Sequence, residues 1–291
     1  MSWYSYLASL MLTTLVSLAS GLGGLLGTAA GDAAVPAPET IRRTLPWSTG
    51  VATAVFELSN TRGDIHIVAE DRSDISVVAT RTVERQDASN NPGPAVDFRR
   101  EGDRTLVCGD ATHCGCNVEW PRGARWRDDE RTKVRVDFEV RLPKRATLEV
   151  CAVNGDLMKV EGIEGSYNLH HVNGDLEMVH VRGIGRASTV NGDVVATFDA
   201  PPQGPGEFKT VNGKVDVTLP ASLSADLRLK TMNGGLYTDF ETTALPVKPI
   251  AEQRGGRFRY RADRYASVRV GKGGPELTFE TLNGNVQVRK R

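Results

Sequence analysis

The sequence predicts an all-β protein, a single-stranded solenoid (β-helix-like) of about 20-residue coils, and three observations predict it. An Asn-Gly motif recurs at near-constant spacing. The residues around each copy alternate between apolar and polar. No window of comparable length carries a helical apolar stripe.

The motif reads VNGDL at 153–157, VNGDL at 172–176, VNGDV at 190–194, VNGKV at 211–215, MNGGL at 232–236 and LNGNV at 282–286. Its asparagines are Asn154, Asn173, Asn191, Asn212, Asn233 and Asn283, so the first five stand 19, 18, 21 and 21 residues apart. Four positions before each Asn stands Val150, Leu169, Ala187, Phe208, Leu229 or Phe279; two before stands Ala152, His171, Thr189, Thr210, Thr231 or Thr281. The positions between are mostly polar, so one face of a strand is apolar or small and the other is wet. Three positions after each Asn, Leu157, Leu176, Val194, Val215, Leu236 or Val286 opens the next strand as an inward residue. An antiparallel meander also fits, because Asn-Gly closes tight hairpins. The solenoid explains better why the same residue type returns at equivalent positions, since like residues then stack between coils. Stacked Asn or Thr can hydrogen-bond along a ladder.

Residues 1–34 read as a signal peptide. Leu7 to Gly31 holds no charge, and small residues follow at Thr28 to Gly31, placing cleavage near Ala30 or Ala34. No Lys or Arg precedes the apolar run, and it is long enough to span a bilayer, so a retained membrane anchor is the competing reading. Both place the rest outside the cytoplasm, in the periplasm, cell envelope or medium. Residues 35–50 read as a linker and 51–291 as one solenoid domain. It is interrupted by a Cys- and Trp-rich insertion at about 90–131 and another at about 245–274.

The 36 basic and 36 acidic residues cancel, so global charge points to neither nucleic acid nor an acidic lipid surface. Hydrophobic residues at 40% indicate a globular chain with a real core.

The repeats, with the segments ELSNTRGDIHIVAEDRSDISVVATR (57–81), VDFEVRLPKRATLEV (136–150) and ELTFETLNGNVQVRKR (276–291), resemble the exported bacterial putative-adhesin family. The resemblance spans about Leu58 to Arg291, apart from the two insertions. It implies a β-solenoid envelope protein with non-catalytic binding or structural work, and it transfers no catalytic residue.

Cys108, Cys114, Cys116 and Cys151 read as two disulfides, as expected in an oxidising compartment. A Cys-x-Cys pair with His113 is also compatible with a zinc site. Of the three possible connectivities, one joining Cys114 to Cys116 is disfavoured by its short loop. Asp156, Asp175 and Asp193 follow Asn-Gly and could line a calcium row, but Lys214 interrupts it. Asp is also simply a good turn residue. His170 and His171 are strand neighbours on opposite faces, which spoils a shared site. Arg62-Gly63-Asp64 occupies a turn where the repeat is degenerate. Trp120 and Trp126, with Arg122, Arg125 and Arg127, form either a sugar- or anion-binding surface or the cover of a sheet. No nucleophile elbow or P-loop is present, and no metal or cofactor site is assigned. Catalysis therefore survives only as the alternative of a carbohydrate-active enzyme on a β-helix scaffold; a self-assembling surface scaffold is the other.

Local charge is the one clue to a partner. Between Arg254 and Lys272 there are seven bases and one acid, Asp263, whereas Glu149 to Val181 holds six acids and one lysine. RFRYR, read as a strand, sets Arg257, Arg259 and Arg261 on one face. That row is either a charged sheet edge or a contact for an anionic envelope polysaccharide or for the acidic coils of another copy.

Overall fold

The computed structural model describes residues 36–47, 54–85, 93, 95–111, 114–116, 133–246 and 264–291, and the backbone of 249–254 and 257–262. The segment read as signal peptide or anchor lies outside the described residues, as do His113 and the stretch with Trp120, Trp126 and their arginines.

The described chain is all-β. Nineteen strands hydrogen-bond into one sheet, and two more, Pro249–Arg254 and Arg257–Ala262, pair as a separate antiparallel hairpin. The alternation in the sequence is the cause. Along Val194–Phe198, Val194, Ala196 and Phe198 are buried while Val195 and Thr197 are half-buried, the period of a pleated strand with one apolar face.

The repeats stack in parallel and in register. Thr147–Glu161 pairs with Tyr167–Val181, setting Val150 opposite Leu169 and Asn154 opposite Asn173. Tyr167–Val181 then pairs with both Gly185–Ser188 and Val194–Phe198. These pair in turn with Gly206–Lys209 and Val215–Leu219. On the other side of Thr147–Glu161 lie Val55–Arg62 and Ile65–Glu70, also parallel.

The final repeat departs from sequence order. Glu276–Glu280 and Val286–Lys290 lie between the Gly206–Lys209/Val215–Leu219 strands and the Ala225–Lys230/Leu236–Thr238 strands, parallel to both. The chain reaches this place by wrapping Ala225–Lys230. Ala266–Val270 runs antiparallel along one edge of that strand, and Glu276–Glu280 returns along the other.

In-register stacking lines up the inward side chains. Val150, Leu169, Ala187, Phe208, Phe279 and Leu229 are all buried. Phe208 and Phe279 stack with centroids 5.5 Å apart, and Phe198 meets Phe208 edge-on at 5.9 Å. Each Val, Leu and Phe in this row contributes roughly 1.5–3 kcal/mol through burial.

Several elements differ from the sequence reading. The stretch read as a linker contains the strand Glu39–Pro46, antiparallel to Asp74–Arg85, where Ile41 and Leu45 pack on the core. The Cys-rich insertion contains an antiparallel pair, Asp97–Glu101 and Arg104–Cys108, and the second insertion contains the hairpin and Ala266–Val270, which pairs antiparallel with Thr242–Ala244 just ahead of the insertion. In the first repeat the inward residue is Met158 rather than Leu157, because the register slips between Asn154 and Leu157, a bulge that turns the following side chains over. Leu236 is exposed, since no described strand pairs with the outer edge of Leu236–Thr238.

Candidate functional site

The side-chain amides of the six motif asparagines form a ladder. Asn173 donates to Asn154 at 2.9 Å, Asn191 to Asn173 at 2.8 Å and Asn212 to Asn191 at 2.7 Å. Asn283 donates to Asn212 and Asn233 to Asn283, both at 2.7 Å. The spatial order is therefore 154, 173, 191, 212, 283, 233. The ladder faces solvent: five of its asparagines are exposed and Asn154 is half-buried.

The glycine after each Asn is demanded by the stacking. Gly192 has φ +150°, and a Cβ there would sit 2.2 Å from the Gly174 carbonyl oxygen; at Gly213 the corresponding contact is 2.0 Å from the Gly192 oxygen. The position after it does more than turn the chain. Asp175 Oδ1 accepts the Asp193 amide at 2.8 Å, Asp193 Oδ1 accepts the Lys214 amide at 2.9 Å, and Asn285 Oδ1 accepts the Gly235 amide at 2.9 Å. Arg62 pairs with Asn154, so Arg62-Gly63-Asp64 is the rung before the first full repeat, and Asp64 Oδ1 accepts the Asp156 amide at 2.7 Å. That tripeptide is fastened down further, because Arg135 donates to Asp64 at 2.7 Å and Asn60 donates to the Gly63 carbonyl at 3.1 Å.

Behind the ladder, Thr189, Thr210, Thr281 and Thr231 each donate a hydroxyl to the motif-glycine carbonyl of the adjacent rung at 2.8–2.9 Å. His171 stands in this row and breaks its pattern. Its ring is 3% exposed, its Nδ1 lies 3.3 Å from the Asp175 carbonyl, and its Nε2 is buried without a partner. A carbonyl only accepts, so Nδ1 carries the proton. Burial pushes the imidazole pKa below its ordinary value and keeps it neutral. His170, its neighbour, faces outward and meets Ser188 Oγ at 2.6 Å. The two histidines share no site.

In front of the ladder runs an exposed aliphatic row formed by the residue preceding each Asn. Val172, Val190, Val211, Leu282 and Met232 are exposed, Met232 at 62%. Beside them runs the outward row Cys151, His170, Ser188, Lys209, Glu280 and Lys230. Two hollows lie in this groove. One, of about 160 Å³, is lined by Ser59, Asn60, Cys116, Cys151, Val153, His170 and Val172. The other, of about 340 Å³, is lined by Lys209, Val211, Lys230, Met232, Glu280 and Leu282. Charge in the second is internally paired. Burial alone would raise the Glu280 carboxyl, but hydrogen bonds from Lys230 and Tyr265 and the nearby Lys209 hold it below the usual carboxylate range.

Cys108 pairs with Cys114 and Cys116 with Cys151, with Cα atoms 5.2 and 5.5 Å apart. The second disulfide fastens the Cys-rich insertion to the first full repeat at the head of the groove. The Cys116 amide also donates to Glu57 at 2.6 Å, a carboxylate buried against Arg104.

Of the arginine row, the backbone is described: Arg257, Arg259 and Arg261 fall on the strand Arg257–Ala262, opposite Arg254, Glu252 and Ile250. Sequence reasoning missed the aliphatic row. Val153, Val172, Val190, Val211, Leu282 and Met232 were visible as part of the motif, and their place in the alternation, one position from the inward Thr row, was the available signal.

No family model and no curated protein matches the chain. Among solved structures, the chain is similar to a "putative cell adhesion protein" from Clostridium sporogenes, at 9% identity, covering 88% of this chain and 100% of that one, with TM-score 0.43. It is similar also to a "putative adhesin" from Bacteroides fragilis, at 9% identity over 87% and 97% of the two chains, with TM-score 0.29. A "putative lipid binding protein" from Parabacteroides distasonis is similar at 9% identity over 87% and 96%, with TM-score 0.24.

Proposed function

We propose that the chain is an exported β-solenoid of the cell envelope that binds an extended partner without catalysis. The observation that carries this reading is the groove: an unbroken aliphatic row beside a ladder of amides, repeating once per stacked unit. A surface with one spacing along its length, about 4.8 Å between parallel strands, suits a long regular ligand better than a small molecule. Each interior ladder amide keeps one N–H and one acceptor lone pair for that ligand. Two disulfides suit an oxidising compartment. The arginine row Arg257, Arg259 and Arg261 is a second contact for an anionic envelope polysaccharide, because guanidinium forks fit carboxylates and phosphates.

A glycan array paired with a reducing-end assay on the same glycans tests this. Binding without product is expected, and it should be lost in Val190→Asp/Val211→Asp protein that still folds. Product from a bound glycan would overturn the non-catalytic reading, and binding indifferent to the double substitution would remove the groove from it.

A further inference from the structure

We propose that the space between the Gly206–Lys209/Val215–Leu219 strands and the Ala225–Lys230/Leu236–Thr238 strands is a strand-acceptor slot, and that a second copy of this chain fills it with its own residues 275–291, giving a reciprocally strand-exchanged dimer. The slot is a consequence of the topology. Only residues 220–224 join Val215–Leu219 to Ala225–Lys230, yet the repeats they belong to stand two strand spacings apart, about 9.5 Å, because the C-terminal segment lies between them.

Withdrawing that segment leaves two facing strand edges open. On one edge the amides of Thr210, Gly213 and Val215 lose the carbonyls of Glu280, Asn283 and Asn285. On the other, the carbonyls of Lys230, Asn233 and Gly235 lose the amides of Thr281, Gly284 and Val286. Open edges of this kind are templates for another strand. The slot is also selective. Asn283 joins the amides of Asn212 and Asn233, Arg289 meets Asp216 at 2.8 Å, and Phe279 stacks on Phe208. The strand that satisfies all of these is the one the chain already carries.

No contact within the slot depends on which copy supplies the segment. What decides is the link Gly271-Lys272-Gly273-Gly274-Pro275, where Gly271 and Gly273 take φ of +59° and +76°. Three glycines give this link the freedom to open as well as to fold back. Its shortness gives the closed monomer a high effective concentration, so exchange is favoured when the segment is released in crowded or concentrated protein.

The test uses the register Thr218↔Arg289. One full-length preparation carries Thr218→Cys and another Arg289→Cys. They are unfolded together in urea at pH 5 without reductant, so the native disulfides stay closed, then refolded at high protein concentration and oxidised. A covalent heterodimer is expected, with little formed when the two are folded separately before mixing. Each variant refolded alone should give little covalent dimer. A chain with both substitutions should close the bond within itself at low concentration. Heterodimer no more abundant than those same-variant dimers overturns exchange, as does failure of the doubly substituted chain to close, which would remove the segment from the slot. Wild-type protein gives a check free of substitutions: a dimer fraction, measured by light scattering after chromatography, that rises with refolding concentration. A wild-type monomer at every concentration tested also overturns the proposal.

Discussion

Asn191 sits mid-ladder, donating to Asn173 and accepting from Asn212, whereas Asn233 at the ladder's end makes a single rung bond. Because the ladder is exposed, water replaces part of what a substitution removes, and Asn191→Ala should cost about 1–2 kcal/mol. Asn233→Ala should cost about half as much. Equal losses in urea titrations of the two variants would mean that the rung bonds do not stabilise the stack. Asp193→Ala, which the turn chemistry alone marks as nearly neutral, should cost about 0.5–1.5 kcal/mol because its carboxylate accepts the Lys214 amide. At His171 the consequence is a pH dependence. Its folded pKa lies below the unfolded value of about 6.5, so the unfolded chain binds a proton that the folded chain refuses. Stability is unaffected above that value and falls as pH drops through it. His171→Thr removes the refused proton and restores the hydroxyl found elsewhere in the row. The difference in Tm between variant and wild type should therefore move in favour of the variant from pH 7.5 to pH 5. A difference constant with pH would show that the ring is not held neutral by burial.

Among the elements, the Cys-rich insertion depends most on a single covalent tie. Cys116–Cys151 closes a loop across 35 residues of sequence, and chain-entropy arguments put its contribution at about 2–4 kcal/mol. Replacing both cysteines with Ala should lower the urea midpoint accordingly and expose the insertion to protease, leaving the repeats beyond Tyr167 protected. Protease sensitivity spread evenly over the chain would contradict that local role. Alkylation with and without reductant, read by intact mass, should show four reactive thiols only after reduction. The strands themselves were largely legible, because Thr147–Glu161 through Val215–Leu219 follow the apolar-polar alternation around each Asn-Gly. Glu39–Pro46 was not, since its Ile41 and Leu45 stand four residues apart and gain an apolar partner only from Asp74–Arg85, far along the chain.

At the scale of the whole molecule, the arginine row gives a prediction about partners. Replacing Arg257, Arg259 and Arg261 together with Gln should abolish salt-sensitive binding to anionic polysaccharide while leaving the circular dichroism spectrum unchanged, since screening at about 0.15 M salt already weakens such contacts. Wild-type protein that binds no such polymer at low ionic strength would remove the row from the functional reading. The sequence by itself determined the all-β class, the six asparagines that stack, the glycines that let them approach, and the face taken by the residues leading into each Asn-Gly, because these depend on local alternation and backbone freedom. Only the tertiary structure decided that Asn283 lies between Asn212 and Asn233, that Met158 replaces Leu157 on the inner face, and which cysteines pair. Each of those depends on contacts between residues remote in sequence. Strand alternation says which way a side chain points but carries no information about which edge a returning strand will choose.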